Sequence, residues 1–180
     1  PRSGTGDVRV GRRDRRERHL FLTEDGTAIL LVSSELEELL ALAGGSPLMA
    51  RRLHAQGVLE QRALVVEGVK KLLKQQASAS QLAEAWKTLP MAMLFDWFCD
   101  WAQLMLRYQL TQDEEGLGQA DMRKVVQYLA DKSAQAKVLA IQEWLLAQRQ
   151  KVIGKANLNR VLLLEALLVQ WAALPAQERR

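Results

Sequence analysis

The stretch "KANLNRVLLLEALLVQW", Lys155–Trp171, is apolar enough for a membrane anchor and opens with a polar cluster, Asn157, Asn159 and Arg160, that would suit a catalytic helix. A bilayer span needs roughly 20 predominantly apolar residues, and no run in this sequence reaches that length. Glu165 also sits in the middle of the stretch, where a carboxylate costs about 2.5 kcal/mol or more in lipid. The membrane reading falls. Arg160, Glu165 and Gln170 are five residues apart, which makes no stripe on a 3.6-residue period, so apolar side chains face almost every direction. Such a helix is either central to a bundle or packed against another chain.

Working outward from it, every signal after Ser34 is helical. Ser34 is placed to cap a helix with Glu35, Glu37 and Glu38 in its first turn, and Gly44–Gly45 ends it. Ser46-Pro47 restarts a second helix that stops at Gly57. A third runs from about Leu59 to Gln76, Ser80 caps a short fourth through Leu89, and Pro90 begins the next. In Met91–Tyr108 the polar residues are Asp96, Asp100, Gln103 and Arg107, a narrow stripe that predicts a helix buried on most sides. Helices follow over 119–130 and from Ser133 to about Ile153, and Asn157 is the expected cap of the last, which Pro175 closes. The expected fold is all-α: a bundle of about 5–6 helices, preceded by two short ones.

The first 34 residues differ. The formal charge of +4 belongs to residues 1–20, where seven Arg face Asp7, Asp14 and Glu17; residues 21–180 hold 18 basic and 18 acidic groups. The high pI is therefore that of an arm and not of a nucleic-acid-binding face. Residues 1–19 read as a basic, poorly ordered arm, and "GTAILLVSS", 26–34, as at most one short strand with no partner. A strand without a sheet is what a truncated or rearranged reading frame, or a junction, would leave.

No chemistry emerges. "GTGDVRVG" lacks the Gly-Lys-Ser/Thr of a P-loop. Asp96 and Asp100 lie one turn apart on the polar stripe, which reads as a solvated face more than a metal or acid–base pair. His19 and His54 are isolated from any ligand framework. Cys99, the single cysteine, reads as a core residue; its solitude and the lack of a signal-peptide pattern fit a reducing cytoplasm. Lys70, Lys71 and Lys74 form a basic edge, with Glu67 at salt-bridging distance in sequence. The five tryptophans, 86, 97, 101, 144 and 171, fall at apolar helical positions, as core or interface residues do. The expectation is a non-catalytic chain without cofactor, metal or small-molecule substrate.

"LEELLALAGGSPLMARRL", "LEQRALVVEGVKKLL" and above all "QRQKVIGKANLNRVLLLEALLVQW" resemble the C-terminal part of the delta-prime family of bacterial DNA polymerase III clamp loaders, over residues 36–174. Complete members have an ATPase-like module, a helical lid domain and a C-terminal helical domain, and the C-terminal domains of five subunits pack into a collar. The resemblance implies a lid remnant at 35–57, a collar domain at 58–175 and a tail at 176–180, behind the arm and strand of 1–34. It implies other clamp-loader subunits as partners and contact with DNA only through the complex. The Ser-Arg-Cys motif and four-cysteine zinc site of complete members do not occur in this sequence. The expected interface residues lie on the last helix: Asn157, Leu158, Arg160, Leu164, Leu168 and Trp171.

Two rival readings stand beside this one. "GTAILLVSSELEELLALA" resembles a stretch after the Walker B strand of sugar-importing ABC-transporter ATP-binding subunits, which would make the chain a fragment of such a protein. A small helical DNA-binding protein using the Arg-rich arm is the third reading, and it predicts binding that weakens steeply with salt.

Overall fold

A computed structural model of the chain describes residues 18–22, 28–55, 57–154 and 157–175. These form two compact units that divide between Glu60 and Gln61. Of the basic arm read over residues 1–19, residues 1–17 lie outside the described residues, as does the tail at 176–180, while Arg18 and His19 belong to a strand, a correction.

In the first unit, β1 (Arg18–Leu22) and β2 (Ala28–Val32) pair antiparallel, with Leu20 opposite Leu30. The strand expected to stand alone therefore has a partner, a correction to the sequence reading. "RHLFL" adjoins an Arg-dense run, and that charge masked a short apolar segment able to complete a hairpin. β2 passes directly into α1 (Ser33–Leu42), and α2 is Pro47–Ala55. The α1–α2 turn needs residues that accept positive φ, and Gly44 and Gly45 supply them at +61° and +83°. The Gly45 amide donates to the Leu40 carbonyl at 2.8 Å, closing α1. Ser46 then accepts from the Met49 amide and Pro47 opens α2. Leu39 and Ala50 are the buried centre, with Leu36, Leu40, Ala43 and Leu59 against them.

The second unit holds most of α3 (Val58–Leu73), then α4 (Ala79–Trp86), α5 (Met91–Thr111), α6 (Ala120–Lys132), α7 (Gln135–Ile153) and α8 (Arg160–Ala172). Helix α5 packs along α7 and α6, and α4 along α8. The all-α class holds for this body. Several caps differ from those read in the sequence. Ser78 and not Ser80 opens α4, in a reciprocal capping box with Gln81. Asn159 and not Asn157 caps α8, accepting from the Leu162 amide at 3.1 Å. A cap must stand directly before the first helical residue to reach the third amide, and Asn157 lies two residues too early. Ser80, freed of that role, donates instead to Glu165 and ties α4 to α8.

The core is aromatic. Phe98 on α5 meets Trp171 of α8 edge-on at 4.8 Å, Trp101 of its own helix at 5.0 Å, and Trp86 of α4 at 6.4 Å. Trp86 lies over Gly68 of α3, where a Cβ would come within 2.5 Å of the indole. Glycine is what lets α3 and α4 approach. A charge is built into the same body: Arg62, 6% exposed, pairs with Asp121 through Nε–Oδ2 at 2.6 Å and Nη2–Oδ1 at 3.1 Å. Its guanidinium also lies over the rings of Trp97 and Trp101 at 5.4 and 5.6 Å. Bidentate pairing and two aromatic faces are what permit so little contact with water. Gln109 donates to the carbonyls of Ala130 and Ser133, both at 2.9 Å, and so fastens α5 to the otherwise unsatisfied end of α6.

Three outcomes follow from this packing. Gly68→Ala forces a methyl into Trp86 and is expected to destabilise by about 1–3 kcal/mol, read as a lower urea midpoint at unchanged m-value. Asp121→Ala leaves Arg62 buried without its carboxylate. It should cost about 2 kcal/mol, less than for a wholly buried pair because the Asp121 side chain is 35% exposed. Burial pushes the Cys99 thiol up to about 11, so in the native protein at pH 8 a small thiol reagent should react with it only as fast as the chain opens.

Candidate functional site

Each residue singled out in the last helix has a definite place. Leu164, Leu168 and Trp171 are wholly buried. They are spaced four and three apart and share one face of α8, which is turned into the chain's own core with Leu167. Buried there, they hold the bundle together. Asn157 and Arg160 are exposed and Leu158 is half-buried. The Arg160 guanidinium donates to the Lys87 carbonyl at 3.1 Å, and Lys87 is the C-cap of α4. A cation at that end complements the helix dipole and fixes the start of α8 against α4.

What α8 turns outward is Leu162, 65% exposed, and Val169, 54% exposed, seven residues apart and hence on one face. Helix α7 repeats the arrangement. Its inner face buries Val138, Ile141 and Leu145, while Leu139, Leu146 and Ile153, again at intervals of seven, are each about half exposed. Helix α7 thus carries two apolar rows, one turned inward and one outward. The outward row was missed in the sequence because two apolar rows on one helix leave no single apolar face to find; the i, i+7, i+14 spacing was the signal that could have found it. Gln135, Gln142 and Arg149 alternate with it, so the row is narrow and edged by polar groups.

The titratable groups have structural explanations. Asp96 accepts from Arg149, joining α5 to α7 at the surface. Asp100 is exposed, yet partial burial and the neighbouring Asp96 carboxylate raise its pKa. No group of three or more His, Cys, Asp or Glu able to hold a metal ion occurs among the described residues. His54 is half-buried on α2, while His19 lies in β1 and its side chain is outside the described residues. The expected pairing of Glu67 with Lys70 or Lys71 is not formed among the described residues, a correction. Exposed charges at that spacing gain too little in water to hold two long side chains together. Four of the five tryptophans are buried and Trp144 is half-buried against Phe95. No helix among the described residues is long and apolar enough to cross a membrane.

The described residues thus form a packed helical body with outward apolar rows on α7 and α8. The family described as "DNA polymerase III, delta subunit, C terminal" matches residues 56–173, well over half of the chain. The chain is 78% identical over 140 residues to DNA polymerase III subunit delta' of Pseudomonas aeruginosa, an alignment covering 78% of this chain and 43% of that protein. It therefore spans less than half the length of that relative. No solved structure matches. By this family match, the chain belongs to the family formed by the C-terminal region of the DNA polymerase III delta subunits.

Proposed function

We propose that this chain is a non-catalytic clamp-loader subunit fragment of the delta-prime type, which contributes helix–helix contacts to the collar of a multi-subunit assembly. The observation that carries the reading is the outward row Leu139, Leu146 and Ile153 on α7, with Leu162 and Val169 on α8. A helix whose inner face is already packed gains nothing within its own chain from a second apolar row, whereas a neighbouring subunit would bury it. Asn157 and Arg160, exposed at the start of α8, and the half-buried Leu158 belong to the same proposed face. Leu164, Leu168 and Trp171 support it from beneath.

In this reading the chain's partners are other clamp-loader subunits, and DNA is met only through the complex. The transporter reading is not favoured, because the family match over residues 56–173 is to a different protein class. The reading that uses the Arg-rich arm rests on residues 1–19, of which 1–17 lie outside the described residues.

The test is reconstitution with the remaining clamp-loader subunits, followed by light scattering. One copy should enter each assembly, and deletion of residues 1–34 should leave incorporation unchanged. Leu146→Glu should weaken incorporation at least tenfold while leaving helicity and melting temperature as they were, since the side chain is half exposed in the free chain. Leu64→Glu, at an equally exposed position on α3, is the control and should assemble normally. Incorporation unaffected by Leu146→Glu would remove α7 from the contact face. A chain that ignores the other subunits altogether would overturn the function.

A further inference from the structure

We draw no further inference here: the strongest candidate, the outward apolar row of Leu139, Leu146 and Ile153 on α7, belongs to the contact face already proposed, and nothing in the structure shows which neighbour covers it.

Discussion

The edge of Phe98 against the indole of Trp171 is the contact on which the helical body depends. Phe98 is in the middle of α5, which packs along α6 and α7, and through Trp86 and Trp171 its ring also engages α4 and α8. Phe98 therefore links α5 to both α4 and α8, and Trp101 adds a second contact to Trp171 at 6.4 Å. Each edge-to-face pair contributes about 0.5–1.5 kcal/mol beyond the burial of its surface. More than its size, the geometry matters: the Trp171 ring, at 86° to Phe98, sets the rotation of α8 relative to α5. Once Trp171 is turned inward, Leu164, Leu167 and Leu168 must follow, and Leu162 and Val169 are left outside.

The same constraint accounts for the polar features that break the usual rules of burial. Gly68 clears space for Trp86, the outer wall of the cluster. Arg62 lies over Trp97 and Trp101, so the aromatic centre meets a cation that Asp121 neutralises. Arg149 with Asp96, and Ser80 with Glu165, are clips between helices that the core has already brought together. These exposed or part-exposed pairs contribute little to stability on their own and more to the choice of register.

Much of this was legible in the sequence, for a definite physical reason. A helix with only Asp96, Asp100, Gln103 and Arg107 on one stripe has no choice but to be central, and α5 is. Glycine pairs and Ser-Pro punctuate α1 and α2 where the backbone needs left-handed φ and a preset first turn. Less was legible where the outcome depends on a partner far away in the chain. Nothing local to Arg62 says that Asp121 and two indoles will receive it. Nothing in the Arg-rich run announces that "RHLFL" will pair with "AILLV". The last helix was read as apolar in almost every direction, and its buried Leu164, Leu167, Leu168 and Trp171 and exposed Leu162 and Val169 agree. Which of its sides faces home is decided by Phe98, so three residues expected at an interface lie in the core. Its outward face consists of Leu162 and Val169, and α7 carries its own outward row, which a search for one apolar face passes over.

The proposed assembly role rests on that division of faces, and cross-linking in the reconstituted clamp loader tests it most directly. A photo-reactive residue placed at position 139 on α7, and separately at position 64 on α3, reports which surface lies against a neighbour. Both positions are about half exposed in the free chain. Cross-links to another subunit from position 139 and none from position 64 are the predicted result. Cross-links from position 64 alone would contradict the account and assign the contact to another surface of the domain.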